Sequence, residues 1–570
     1  MIDDDLIKAY ALENAILHNG KAQVNAVLSK LFRHGLKKEE IKDYIKKVEE
    51  IVNYVNSLTL EKQKQEFEKY SSLLPEKTKE RHLELPNVKG KVIMRLAPFP
   101  SGPLHIGNAR AYVLNDYFVK KYNGKLLLVI DDTIGSEEKK IVKEAYTLIP
   151  SGLKWLGINY EEPIIYKSDR LELYYEYAKK LIEMDKAYVC FCDAKTLREN
   201  REKGIECEHR KYSKKKNLEE WENMLDGKYK EGEAVLRIKT SMQHKNPAFR
   251  DRVLFRICER EHPRVNKKYK VWPLLEMTWA IDDYLLGITH ILRGKELMIE
   301  TEMEKYIFNI FNWPIPEFIH TGLLSIEGVK ISKSKSQEEI AKGIYFGWDD
   351  PRTWSLQALK RRGFINKAIY DFCLSFGLQQ TESKVPLEVL YSFNRKYVEK
   401  SDRYFFISNP VEIEIIDAPN LEVKVPLHPN YPERGYRVFK TNKKFWITLD
   451  DYQYIRKAPD GSFFRFMYLF NFYKKDEKFY FYGTKLDKEI KVKMLHWLPK
   501  EDNLNARVLM DDGNWVNGLI EKNAKLKVDD IVQFERFGFV RLDAIKKIKE
   551  INEFGKDKKE KIYEFWFTHP

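Results

Sequence analysis

The segment from Lys91 to Ile130 constrains the fold more than any other part of the chain. An apolar run, Val92-Ile93-Met94, leads into a loop holding Pro98, Pro100, Gly102 and Pro103. A helical stretch from His105 to Tyr122 follows and stops at Gly124, and a second apolar run, Lys125-Leu126-Leu127-Leu128-Val129-Ile130, begins at once. Strand, tight loop, helix, glycine stop and strand make a βαβ unit. Its crossover is nearly always right-handed, and its ligand site falls at the carboxyl ends of the strands. A mononucleotide-binding α/β domain is the leading expectation.

The rest of the chain has other textures. Residues 1 to about 85 show helical periodicity, charged runs such as Lys37-Lys38-Glu39-Glu40 and Glu61-Lys62-Gln63-Lys64, and few glycines or prolines after Gly35. This predicts a helical domain, read as scaffold or docking surface because it carries no chemical motif. A polar, irregular stretch over 185–265 predicts an insertion, after which apolar runs at 281–293 resume the α/β domain. From about residue 400 the pattern alternates, as in Val411-Glu412-Ile413-Glu414-Ile415, with Asp460-Gly461 and Asp512-Gly513 turns. That is an all-β region of one or two barrels. A length of 570 residues accommodates roughly three to five domains.

Composition narrows the partner. Lys and Arg number 100 against 86 Asp and Glu, a net charge of +14, while 43% hydrophobic content is too rich for a disordered polycation. A folded protein with a polyanionic partner, nucleic acid first, stands beside the equal alternative of ordinary solubilising charge. Five cysteines are too few for a disulfide framework and imply a reducing compartment. The start MIDDDLIKAY is acidic where a signal peptide is basic, and the run at Leu126–Ile130 is far shorter than the ~18 residues of a membrane span. The expectation is a soluble, cytoplasmic protein with no membrane partner.

Two loops carry chemistry. The first, Pro98 to Asn108, precedes a helix whose unpaired N–H groups and partial positive charge suit a phosphate; His105 can donate to phosphate oxygens, and Gly107 allows close approach. The second, Lys330-Ile331-Ser332-Lys333-Ser334, gathers ammonium and hydroxyl donors with no carboxylate among them and can neutralise the charge that grows as pyrophosphate leaves. Alone, each also reads as a capping histidine or a solvated basic turn. A third cluster, Cys190-Phe191-Cys192 and Cys207-Glu208-His209, pairs ligands at i, i+2, a spacing that puts both side chains on one face of a strand. Four such N/S ligands suit a closed, structural zinc, weighed two to one above simple burial of reduced cysteines. Cys258 and Cys373, isolated in apolar surroundings, read as packing residues.

Together the two loops resemble the HIGH and KMSKS signatures of class I aminoacyl-tRNA synthetases, in the right order and with the insertion between them. The resemblance is closest to the glutamyl/glutaminyl subgroup, through Arg95-Leu96-Ala97-Pro98, Ile130-Asp131-Asp132-Thr133, and Asp282-Asp283 with Gly287-Ile288-Thr289-His290. Gly347-Trp348-Asp349-Asp350-Pro351-Arg352, Arg361-Arg362-Gly363 and Gln533 to Phe539 look like its archaeal and eukaryotic branch.

The resemblance implies a Rossmann-like α/β catalytic domain, a helical N-terminal domain, an acceptor-stem insertion and C-terminal β-barrel anticodon-binding domains. The implied boundaries are 1–88, 89–188, 189–268, 269–325, 326–398 and 399–570. It implies a glutamate–tRNA ligase using ATP with Mg²⁺, acting on L-glutamate and tRNA(Glu), with tRNA(Gln) left open, no DNA partner, and tRNA bound before activation. His105, Asn108, Lys330 and Lys333 would hold ATP and its transition state, aided by Pro98, Ser101, Gly107, Ser332 and Ser334. Arg95 and Asp131 would grip the α-carboxylate and α-amino groups. Arg293 would face the side-chain carboxylate, which favours glutamate over the rival glutaminyl enzyme. Intact His105 and Lys333 argue against a non-catalytic tRNA-binding paralogue. Asn108 replaces the second histidine of HIGH, Val129 replaces an arginine common in the family, and Leu275 and Trp279 depart from its usual pocket residues.

Overall fold

Val48, Val52 and Val55 recur at helical spacing and are buried, so Ile41–Ser57 forms an amphipathic helix, α3, packed with α1 (Asp4–Leu17), α2 (Val24–Leu31) and α4 (Leu60–Tyr70). Thr59 caps α4 by accepting from the Lys62 N–H, and buried Gln63 donates to the carbonyls of Gly20, Val55 and Leu58. The computed structural model describes all residues except 1, 18–19, 35, 37–39, 75–82, 137–139, 330, 486–491 and 552–556. These helices make one compact unit, residues 1–84, and residues 85–570 make a second. Gly35 and the charged run at 37–39 lie outside the described residues.

In the second unit the expected βαβ element forms as β1 (Ile93–Leu96), α5 (Ile106–Lys121) and β2 (Lys125–Ile130), with β1 and β2 parallel in register Ile93↔Lys125 to Leu96↔Leu128. Helix α6 (Ala145–Trp155) leads to β3 (Glu161–Tyr166), parallel to β2 on its far side. After α7 (Leu171–Glu183) the chain leaves this layer. The insertion is a four-stranded antiparallel sheet, β4 (Ala187–Cys190), β5 (Val235–Ile238), β6 (Val253–Ile257) and β7 (Val271–Pro273), with α8 (Ala194–Lys203) and α9 (Lys214–Leu225) between its first two strands. The chain returns through α10 (Leu275–Leu285), β8 (His290–Gly294), α11 (Met298–Ile310) and β9 (Glu317–Thr321), the last strand parallel to β8.

Strand β8 lies beside β1, where the Thr289 N–H donates to the Ile93 carbonyl at 2.9 Å. The spatial order is therefore β3-β2-β1-β8-β9, and the order reverses between β1 and β8. Such a switch point opens a crevice at the carboxyl ends of the strands. Arg110, buried on α5, donates to the carbonyls of Gly322, Gly377 and Gln379 and ties the helix to the segment that follows β9.

Alternating sequence becomes two seven-stranded sheets beyond residue 402. One runs 493–495, 463–466, 471–475, 478–483, 410–416, 444–448, 498–499; the other runs 403–404, 531–534, 538–551, 557–569, 503–509, 515–521, 406–408. In each, the two edge strands are neighbours in the chain, so each sheet curls into a nearly closed barrel. Inward phenylalanines such as Phe464, Phe466, Phe472 and Phe479 fill the first, and Phe406, Phe534 and Phe565 fill the second. Burial of each ring is worth roughly 1.5–3 kcal/mol.

Candidate active site at the switch point

Arg95 is the third residue of β1, Asp131 follows directly on β2, and Arg293 is the fourth residue of β8. All three sit where the carboxyl ends of parallel strands meet, and all three are buried. The loop between β1 and α5 is held on both flanks. The Asp131 N–H donates to the Pro98 carbonyl at 3.0 Å, and the Leu356 N–H donates to the Leu104 carbonyl at 2.9 Å. Gly102 has φ +141, and the ring of Trp348 lies so close that a Cβ there would be 2.9 Å from it, so only glycine fits. Ser101 is half-buried in this loop, and its N–H donates to the Phe99 carbonyl.

Asn108 Oδ1 accepts from the His105 N–H at 2.9 Å, a bond that closes the first turn of α5. The asparagine that replaces a histidine thus acts as a local cap. His105 Nδ1 is buried with no hydrogen-bond partner. Burial, with Lys333 close by, holds its imidazole down at about 3, so the ring is neutral at pH 7.

The two chemical loops meet here. A Cβ on Gly107 would lie 3.2 Å from His105 Nδ1 and 3.4 Å from Ile331 Cδ1. Sequence reasoning treated 330–334 as a loop, but Lys333 and Ser334 open a helix, α12 (Lys333–Ala341), capped by Ser332, whose hydroxyl accepts from the Lys335 N–H. The cap arises because serine can bond the free N–H groups of a first turn more readily than a loop residue can. Lys330 lies outside the described residues.

Arg95, Asp131 and Arg293 each already have a charged partner. Arg95 makes a bidentate pair with Asp283, at 2.6 and 2.8 Å. Asp131 faces Lys167 Nζ at 3.2 Å, and Lys167 also donates to Thr278 Oγ1 at 2.8 Å. Burial pushes the Lys167 ammonium down, and Asp131 opposes that shift. Arg293 Nη1 donates to Glu304 Oε1 at 2.7 Å and Nη2 to Thr301 Oγ1. The indole of Trp279 stands among three of these cations: Arg293, Arg95 and Lys167 lie 4.8, 4.9 and 5.2 Å from its ring centroid. Leu275, a half-buried residue, opens α10. Sequence reasoning assigned no role to Lys167, Asp283 or Glu304. Asp283 had a signal, as part of a quoted motif; Lys167 and Glu304 had none.

In the insertion, Cys190, Cys192, Cys207 and His209 place their ligand atoms within 4.8 Å of one another. Cys190 and Cys207 sulfurs are 3.8 Å apart, and His209 Nδ1 is 3.6 Å from Cys192 Sγ and 3.9 Å from Cys190 Sγ. A tetrahedral zinc with bonds of about 2.0–2.3 Å needs ligand separations of about 3.5–3.8 Å, so the four residues fit it. The strand argument for their spacing is corrected. Only Cys190 belongs to a strand, while Cys207 precedes a single 3₁₀ turn that carries His209. The contact with Cys190 lowers the Cys207 thiol from its ordinary value. Buried Arg237 Nη1 reaches both Cys190 and Cys207 sulfurs, at 3.7 and 3.8 Å. Cys258 and Cys373 are buried elsewhere.

Comparison with known proteins places this geometry. Residues 91–400 match the family described as tRNA synthetases class I (E and Q), catalytic domain, and residues 401–481 and 494–543 match two anti-codon binding domains of the same group. The chain is 43% identical to the glutamate–tRNA ligase of Methanocaldococcus jannaschii over 95% of its length and 97% of that protein. It is 42% identical to the glutamate–tRNA ligase of Pyrococcus furiosus over 96% of its length and 98% of that protein. A solved glutamate–tRNA synthetase from Elizabethkingia anophelis is 20% identical, with TM-score 0.39, over 55% of this chain and 71% of that one. Among the described residues no helix is long and apolar enough to cross a membrane. The chain belongs to the class I tRNA synthetases of the glutamate and glutamine (E and Q) group.

Proposed function

We propose that this chain is a glutamate–tRNA ligase of the archaeal type, cytoplasmic, with its domains divided as the sequence suggests. The observation that carries the reading is the 43% identity, over 95% of the chain, to a glutamate–tRNA ligase. In the first step a glutamate α-carboxylate oxygen attacks the α-phosphorus of ATP, the bond to the β-phosphate bridging oxygen breaks, and glutamyl-adenylate and pyrophosphate form. In the second, a hydroxyl of the terminal tRNA ribose attacks the activated carbonyl, and AMP leaves.

The residues act mainly by position and charge. The start of α5 and its loop, with Pro98, Ser101 and Gly107, receive the phosphates, and neutral His105 donates a hydrogen bond rather than a charge. Lys333 at the head of α12, with Lys330, Ser332 and Ser334, meets the charge that grows on the leaving pyrophosphate, and Mg²⁺ accompanies ATP. Arg95 and Asp131 hold the α-carboxylate and α-ammonium groups. Because both already have partners, Asp283 and Lys167 orient them, and the substrate inserts between existing pairs. Arg293 faces the substrate side chain.

Zinc on Cys190, Cys192, Cys207 and His209 would cross-link the end of β4 to the 3₁₀ turn that follows α8. All four ligands come from protein, so the metal would be structural. Arg237 would offset the excess negative charge of three thiolates.

Glutamate-dependent exchange of labelled pyrophosphate into ATP, with and without tRNA(Glu), tests the reading. Exchange that needs glutamate and tRNA(Glu) is expected; no exchange with glutamate in the presence of tRNA(Glu) would overturn it.

A further inference from the structure

The side-chain end of the pocket holds a carboxylate of its own. Arg293 and Glu304 bond at 2.7 Å, and their side chains are 5% and 0% exposed. Three polar atoms around this pair are buried without a hydrogen-bond partner: Arg293 Nε, Glu304 Oε2 and Trp279 Nε1. Buried polar groups almost always have partners, so two donors and one acceptor left over in one cluster mark the outline of a missing ligand group.

We infer that Glu304 is a built-in rival for the side-chain carboxylate of the substrate, and that it sets how weakly or strongly the pocket prefers glutamate over glutamine. This inference rests on the proposed ligase reading.

A carboxylate offers acceptors only. It satisfies Arg293 Nε and Trp279 Nε1, but it confronts Glu304 Oε2 with a second negative group, and it finds the guanidinium charge already neutralised. A carboxamide offers one acceptor and one donor group. Its oxygen takes the two free donors and its NH₂ meets Glu304 Oε2, so every orphan is satisfied. For glutamate to bind as well, Glu304 must swing away or take up a proton. Burial pushes its carboxyl up from the ordinary range, Arg293 and Arg95 oppose that shift and Asp283 adds to it, so Glu304 takes up a proton more readily than an exposed glutamate does. Protonated Glu304 donates its O–H to the substrate carboxylate and leaves the Arg293 charge to it, so glutamate is the preferred ligand, by less than an unpaired arginine would give.

The test is Glu304→Gln, which keeps the size and the bond to Arg293 while releasing the guanidinium charge. KM for glutamate should fall by about tenfold or more, as expected of one charge-assisted bond, and the ratio of kcat/KM for glutamate over glutamine should rise by a similar factor. Calorimetric binding of glutamate to the wild type should show proton uptake that Glu304→Gln lacks. Trp279→Phe, which removes the free N–H together with part of the indole face beside Arg95, Lys167 and Arg293, should raise KM for both amino acids. A KM for glutamate that is unchanged or raised in Glu304→Gln, with equal proton uptake in both proteins, overturns the inference. Glutamate binding can be measured without charging, so a wild type that charges nothing refutes the ligase reading while the binding comparison still decides the role of Glu304.

Discussion

Gly107→Ala separates chemistry from folding at the point where the two proposed phosphate-binding loops meet. The added methyl would lie 3.2 Å from His105 Nδ1, 3.3 Å from His105 Cε1 and 3.4 Å from Ile331 Cδ1, a few tenths of an ångström tighter than ordinary contact. Gly107 is the second residue of α5, where alanine strains no backbone angle and gains up to about 1 kcal/mol of helix propensity. Crowding costs about 1 kcal/mol or slightly more, because the His105 ring and the tip of Ile331 must shift. The two effects nearly cancel, and the melting temperature should move by no more than a few degrees. Catalysis has no such compensation. The methyl stands in the path of the phosphate and displaces His105, and misplacement on the order of 1 Å costs about 100-fold. We expect tRNA-dependent pyrophosphate exchange to fall roughly 10- to 100-fold, with a raised KM for ATP. Exchange within twofold of wild type, in a protein of unchanged melting temperature, would refute the placement of phosphate at this loop.

Other perturbations act elsewhere in the unit. Lys333→Ala should lower the activation rate by about 10²–10³-fold with little change in tRNA affinity by filter binding, and unchanged turnover would remove Lys333 from the transition state. Burial holds His105 at about 3 and His496 and His569 at about 4. These residues bind more protons when unfolded, so stability is complete above the ordinary histidine value of 6.5 and is lost as pH falls from there toward 4. His496→Gln should flatten that loss in thermal melts at stepped pH, and an identical pH slope would contradict the assignment. One zinc per chain should appear by atomic emission, Cys207→Ser should lose it, and chelation should lower the melting temperature of wild type but not of the variant.

The legible parts of this fold are those with a local cause. The β1-α5-β2 unit reads directly because apolar runs, a proline-rich loop and Gly124 each act within a few residues. The barrels read from alternation, since inward Phe464 and Phe466 are two residues apart on one strand. Arg95, Asp131 and Arg293 were singled out by motif and lie together at the switch point, yet their partners were not foreseen. Asp283 is 188 residues from Arg95 in sequence, and only the tertiary fold brings the two together. Lys167 sits in the run Lys-Ser-Asp-Arg, indistinguishable from a solvated turn until β3 carries it, fully buried, to Asp131. Glu304 looks like an ordinary surface glutamate of α11, because helical spacing alone does not reveal which turn faces a buried arginine.

Aminoacylation with labelled glutamate and with labelled glutamine, each against purified tRNA(Glu) and tRNA(Gln), tests the central claim most directly. The account predicts that glutamate is charged onto tRNA(Glu) and that glutamine, if charged at all, is charged less efficiently. Glutamine as the only amino acid transferred, or no transfer of either, would contradict it.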